Sequence, residues 1–217
     1  LQTVSKSEIA TAYDNWSGTY ESMENATRDL AASALRETGV DFTGKDVLEI
    51  GCGTGLNTRY LAEHARSVTA VDFSREMLLK LRDNFYAANV SLQQDDINDV
   101  WELQDESVDV VVETLVLEHI EDLGHVFAEA HRVLRADGEF LIYELHPFRQ
   151  LLGGQAQFAG GDGELIFVPA YRHSISEFLK TSRAAGFTLI DIAELSDDLD
   201  EKGKPLPRIL SLRLRKN

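Results

Sequence analysis

The chain has 217 residues, a formal net charge of −16 and a single cysteine, Cys52. That length suits one α/β domain with additions and can bury a sizeable core without disulfides, while one cysteine excludes an internal disulfide and any cysteine-cluster metal site. An acidic field of this size repels phosphate backbones and argues against nucleic acid as a partner. No apolar run approaches the ~20 residues of a membrane span. The opening LQTVSKSEIATAYDNW lacks the basic start and apolar centre of a secretory signal. A cytoplasmic protein with no membrane partner is the expectation.

In chain order, Ser5 to about Gly18 and Met23–Thr38 carry apolar residues at helical spacing, and Gly39 stops the second run. From Lys45 the pattern alternates. Strands are expected at Val47–Ile50, Ser67–Val71, Val90–Gln93, Val108–Val112 and Glu139–Leu145. Helices are expected at Leu56–Ala65, Ser74–Ala88 and Ile120–Leu134. Strand cores such as VLEI and VDVVV are nearly continuous apolar runs, as strands covered on both faces should be. The alternation predicts a mostly parallel sheet with helices on both faces.

After His146 the alternation pauses in a glycine-rich stretch, PFRQLLGGQAQFAGGDGELIF, which reads as an insertion or lid. Ser174–Ala185 resumes as a helix, with Ser174 and Glu177 in capping-box spacing. Phe187–Leu195 and Arg208–Leu214 are expected to pair as an antiparallel hairpin. One domain is expected: a helical cap over 1–40, a core over 45–145, a lid over 147–172, and a C-terminal helix and hairpin over 174–217.

The chemistry is concentrated in VLEIGCGTGLNTRYL, a strand, a glycine loop and a helix. Such a junction offers bare backbone N–H groups to a ligand. Its G-x-G-x-G spacing departs from the G-x-G-x-x-G of dinucleotide sites and lacks the lysine of a phosphate loop. Glu49, two residues before the first glycine, would repel a pyrophosphate and suit a ligand carrying positive charge. Asp72 ends the next strand about twenty residues on, where a carboxylate can accept both ribose hydroxyls of a nucleoside. Phe73 and Met77 stand near enough to cover an adenine face.

VLEIGCGTGLNTRYLA with VTAVDFSREML resembles the first two motifs of the class I S-adenosylmethionine-dependent methyltransferases. VDVVVETLVLEHIED, EAHRVLRADGEFLI and YDNWSGTYES resemble the later and N-terminal motifs of their small-molecule branch. The resemblance spans most of Ala12 to Leu145. It implies a Rossmann-like fold with a seven-stranded, mostly parallel sheet whose last strand is antiparallel. It also implies S-adenosyl-L-methionine as cofactor and S-adenosyl-L-homocysteine as product. Residue by residue, it places Glu49 near the methionyl amino group and gives Gly51 and Gly53 the close backbone approach. Asp72 would hold the ribose, and Phe73 and Met77 would pack on the adenine. Asp95, Asp96 and Ile97 would meet the adenine amino group, and Tyr13 and Tyr20 would close over the cofactor. Glu113, where the family often has a small residue, would lie under the methionine portion or face the acceptor.

Ligands of open parallel sheets bind beyond the carboxyl ends of the strands. His146, at the end of the fifth strand, and His173, after the glycine-rich stretch, are therefore candidates for a base or an acceptor-positioning group. His119 matches a recurrent family position with a structural or cofactor-side role. The chain carries neither a catechol-type metal triad nor an Asn-Pro-Pro-Tyr-like motif. That favours metal-free transfer to a small organic acceptor; separately, a monomer or homodimer is expected. A non-catalytic binder of the same cofactor, a protein or peptide methylator, and a nicotinamide dehydrogenase are the alternatives.

Overall fold

A computed structural model describes residues 6–18, 20, 23–159 and 164–217. Two helices, α1 (Lys6–Trp16) and α2 (Ala26–Arg36), precede the alternating core. The core runs β1 (Asp46–Ile50), α3 (Leu56–His64), β2 (Ser67–Asp72), α4 (Arg75–Asn84), β3 (Val90–Gln94), β4 (Val108–Thr114), α5 (Leu123–Val133) and β5 (Leu134–Leu145). A 3-10 turn, Leu117–His119, lies between β4 and α5. The insertion holds α6 (Pro147–Leu151) and a small hairpin of β6 (Gln157–Ala159) and β7 (Leu165–Phe167). The chain then continues through α7 (Ile175–Ala184), β8 (Phe187–Leu195) and β9 (Ile209–Lys216).

The large sheet has the order β3-β2-β1-β4-β5-β9-β8. Pairing is parallel from β3 across to β5. β9 runs antiparallel to both β5 and β8, so the last strand alone is reversed, as expected. The strand order turns back on itself between β1 and β4, the switch point beyond which ligands of such sheets bind.

The period-2 alternation of strands divides the core between two faces. Leu48, Val111 and Phe140 pack with α5 and α7 through Phe127 and Phe178. Val47, Val110 and Leu141 pack with α2, α3 and α4 through Leu35, Leu61 and Leu81. Side-chain caps set several helix starts. Asn25 accepts from Arg28 N at 3.0 Å, so α2 begins at Ala26 rather than Met23. Ser74 caps α4, and Ser174 with Glu177 forms the expected capping box on α7. α4 ends at Asn84, four residues short of the expected limit, where Phe85 takes an extended backbone. α5 starts at Leu123 because Asp122 caps it; Ile120, the expected helix start, has an extended backbone and closes the 3-10 turn before it. Ser5 and residues 160–163 of the glycine-rich stretch lie outside the described residues. Among those described, no helix is long and apolar enough to cross a membrane.

Phe140 is fully buried, with its ring 5.5 Å from Phe127 and 6.0 Å from Phe187. Phe140→Ala should cost about 3–5 kcal/mol, by lost transfer energy plus the cavity left behind. Guanidinium unfolding measures it, and a loss below about 1 kcal/mol would contradict a central packing role.

Candidate active site

The end of β1 passes directly into the glycine loop. Gly51 has φ +69° and Gly53 φ +53°, both left-handed conformations that disfavour a side chain. A Cβ on Gly51 would come 2.1 Å from Val116 Cγ2. A Cβ on Gly53 would meet no protein atom within 4 Å, so its Cα borders open space. The Gly53 N–H donates to Asp72 Oδ2 and the Ser74 N–H to Asp72 Oδ1, both at 2.8 Å. One carboxylate thereby joins the loop to the start of α4. Burial lifts the Asp72 pKa to about 6, against the pull of these two backbone donors.

Above the loop lies a cavity of about 320 Å³. Gly51 and Gly53 line its floor, with Asp72, Phe73 and Met77 from the end of β2 and the start of α4. Asp95, Asp96 and Ile97 line it from the loop after β3, and Tyr13 and Tyr20 from the N-terminal segment. The loop after β3 is fixed locally: Asp95 N donates to Asp72 O at 3.2 Å, and Asp96 Oδ1 accepts from Asn98 N at 2.9 Å. Tyr13 meets Phe73 edge-on, with ring centroids 5.9 Å apart. α1 is docked by Asp14, which accepts from the Ser74 hydroxyl at 2.6 Å.

The sequence reading missed part of the wall. Thr114, Leu115 and Val116 line the cavity, as do Asn98, Ile120 and Tyr171. Leu115 has φ +58°, a left-handed turn that carries Thr114, Leu115 and Val116 along the cavity wall. His119 lines the cavity too. Its Nδ1 lies 2.8 Å from Pro169 O, which can only accept, so Nδ1 carries the proton. Nε2 is therefore the acceptor for the Tyr13 hydroxyl at 2.8 Å. Burial holds this imidazole down at about 4, neutral at physiological pH.

A family described as "Methyltransferase domain" matches residues 48–142. The chain is 32% identical over 190 residues to a malonyl-[acyl-carrier protein] O-methyltransferase of Serratia marcescens; the match spans 82% of this chain and 73% of that protein. The chain belongs to the S-adenosylmethionine-dependent methyltransferases. The corresponding protein of Hamiltonella defensa is 30% identical over 145 residues, and there the match spans 67% of this chain but 55% of the relative. The fold matches an S-adenosylmethionine-dependent methyltransferase from Mesorhizobium loti (TM-score 0.71, 21% identity, 87% of this chain and 99% of that one). It also matches a complex described as DhpI-SAM-HEP (TM-score 0.73, 23% identity, 98% and 100%).

The cavity's residues suit the methyltransferase cofactor. The open space at Gly53 admits a ligand against the main chain, Asp72 offers a buried acceptor, and Phe73 and Met77 offer apolar surface. Two residues expected at the cofactor do not line the cavity. Glu49 is buried behind the loop, accepts from the Thr58 hydroxyl at 2.6 Å and is raised to about 8 by burial. Glu113 is fully buried and directed back into the fold. Its Oε1 and the Oε1 of Glu144 both accept from Val116 N, at 2.7 and 2.6 Å, and Glu144 accepts also from Leu117 N. The two carboxyls are hydrogen-bonded to one another, burial raises both, and Glu113 Oε2 is left without a partner. This pair holds the turn that carries Leu115 and Val116.

The two histidines expected near the acceptor also lie off the cavity. His146 caps α6: Nδ1 accepts from Phe148 N at 3.1 Å, and Nε2 meets Glu194 at 2.9 Å. His173 places Nε2 2.7 Å from Ile120 O and Nδ1 3.0 Å from Glu177. Both rings have their nitrogens committed to the fold, and neither lines the cavity above the glycine loop or the larger space beside it.

Asp72→Ala should weaken S-adenosylmethionine binding by about 1–3 kcal/mol in calorimetry, through lost charge-assisted hydrogen bonds; unchanged affinity would contradict a ligand contact. The raised carboxyls also set a pH dependence. Glu49 and the Glu113–Glu144 pair hold protons that the unfolded chain releases, so their contribution is present below ordinary carboxyl pKa values and fades as pH rises through about 8. Tm should fall from pH 6 to pH 8.5. Glu113→Gln, whose amide can donate to Glu144 without holding a titratable proton, should flatten that fall; an unchanged slope would refute the pair as its source.

Proposed function

We propose that this methyltransferase acts on an O, N or C atom of a small organic molecule bound in a second cavity beside the first. The observation that carries this reading is the junction of the two. A space of about 410 Å³, a volume usual for small-molecule sites, shares Tyr13, Tyr20 and Leu115 with the cofactor cavity. Its remaining walls come from Trp16, Met23–Arg28, Glu118, Leu145 at the end of β5, residues 149, 153–157 and 165, and Arg208. The N-terminal helices and residues 147–172 would act as the cover of this acceptor space. Relatives named as malonyl-[acyl-carrier protein] and ubiquinone-biosynthesis O-methyltransferases act, by name, on oxygen, the first on a small malonyl group joined to a carrier protein.

The cofactor supplies a methyl group activated by a sulfonium charge. The protein's work is then orientation first, and proton removal only where the acceptor demands it. On this reading Asp72 accepts from the ribose, Phe73 and Met77 pack on the adenine, and the 95–97 loop meets the adenine edge. Gly51 and Gly53 admit the methionyl part against the main chain. Tyr13, held by neutral His119, and Tyr20 form the partition through which the acceptor meets the methyl group.

The test is release of S-adenosylhomocysteine across a panel of small hydroxyl, amine and carboxyl compounds. Turnover with at least one is expected. Ala156→Trp, which fills the second cavity, should lower that turnover at least about tenfold with S-adenosylmethionine affinity unchanged. Turnover with protein or peptide acceptors alone would overturn the small-molecule reading.

A further inference from the structure

The second cavity holds an oxygen atom that the fold leaves without a partner. Glu118 lines it and is 5% exposed, yet its Oε2 has no hydrogen-bond partner. A buried acceptor left unmade is costly, so its retention points to a partner from outside the chain. Its Oε1 lies 3.8 Å from Nε2 of His119, a residue of the cofactor cavity wall. The carboxyl thus stands where the two cavities meet. The main chain fixes it there, because Tyr171 N donates to Glu118 O at 2.6 Å.

The other charges of this cavity are already engaged. Arg28 donates to Tyr20 O and Met23 O, at 2.6 and 3.0 Å. Arg149 pairs with Asp198, and Arg208 with Asp197 and Asp198. An anionic acceptor would meet Glu118 and Glu24 while these cations serve other partners. A neutral acceptor fits better. Tyr13, Trp16, Tyr20 and Met23 give the cavity an aromatic, apolar side suited to a flat ring.

We propose that Glu118 is the catalytic residue that takes the proton from an aromatic hydroxyl bound in this cavity. The inference rests on the small-molecule reading above. As the hydroxyl oxygen forms its bond to the incoming methyl carbon, the methyl–sulfur bond breaks and its electron pair stays on sulfur. The hydroxyl proton passes to Glu118 Oε2 and is later lost to water. Burial and the neighbouring Glu144 raise the Glu118 carboxyl to about 8, while a hydrogen bond with the Gln150 side chain lowers it; Oε2 alone is left unengaged. Neutral His119, the hydroxyls of Tyr13 and Tyr20, Glu24 and the three guanidiniums are the other polar groups around it. A base in this range is matched to a phenol far better than to an alkanol.

The experiment uses the full chain, with catechol as the phenol probe and malonyl-coenzyme A as the carboxylate probe. Catechol should be methylated, with kcat/KM rising as pH passes through about 8. Glu118→Gln should lower kcat at least about 100-fold and abolish that rise. It should leave the KM for S-adenosylmethionine within about twofold, because the substituted amide still accepts a hydrogen bond without taking a proton. Independently of turnover, calorimetry of catechol on the S-adenosylhomocysteine complex should show binding retained in Glu118→Gln and weakened about tenfold in Glu118→Ala. Turnover of Glu118→Gln close to the parent, or catechol binding indifferent to Glu118→Ala, would overturn the proposal. Methylation of malonyl-coenzyme A or another small compound but not catechol would overturn it while leaving the small-molecule reading standing. No turnover with any small compound would defeat both.

Discussion

The site depends on one buried carboxylate. Asp72 sits at the end of β2 and gives one oxygen to the N–H of Gly53 and the other to the N–H of Ser74. The first bond fixes the glycine loop in its left-handed conformation; the second sets the entry into α4, which Ser74 then caps. Ser74 also donates to Asp14, so the helix closing the cavity from above is tied to the same point. The next loop joins in, since Asp95 N donates to Asp72 O. Floor, side wall and cover are thereby positioned within a few bonds of a single residue. Its remaining lone pairs are what a nucleoside ribose would use.

The other constraint is charge. Glu49, Glu113, Glu118 and Glu144 are all buried near the carboxyl ends of the central strands. Isolated carboxylates cannot be buried cheaply, and the fold resolves this by proton retention and by backbone donors. Burial raises Glu113 and Glu144 together, and the Oε1 atom of each accepts from the main chain to hold the 114–117 turn. Glu49 keeps its proton and takes the Thr58 hydroxyl. A sulfonium cofactor with an ammonium group brings positive charge to the neighbourhood of these acids. Such a ligand lowers the cost of their ionised forms, whereas a pyrophosphate would raise it. The acids behind the loop therefore bias the site electrostatically even where they do not touch the ligand.

The sequence made the sheet legible because its central strands must be apolar on both faces, and a run such as VDVVV fits few other structures. The positions of Gly51, Gly53 and Asp72 were legible for a similar reason: the strand-loop-helix spacing leaves their backbone little freedom. The histidines were not. His146 and His173 sit at strand and helix ends, where local patterning suggests exposure to a ligand. Their commitments to Glu194, Phe148 N, Ile120 O and Glu177 come partly from elements 48 and 53 residues away. The wall after β4 was hidden differently. Leu115 and Val116 act through a backbone turn at φ +58°, and nothing in their side chains announces it.

Glu118 illustrates what remains when such commitments are counted. Its neighbour His119 has both nitrogens engaged, by Pro169 O and the Tyr13 hydroxyl, and burial keeps it neutral. It can orient Tyr13 but has no spare lone pair for a substrate proton. Adjacent in sequence, Glu118 has an oxygen left over at the same partition. Residue type alone favours histidine as the base near neutral pH. Here the hydrogen-bond inventory reverses that preference: the imidazoles hold the fold, while the Glu118 carboxyl keeps an unengaged oxygen that becomes a base as pH passes about 8.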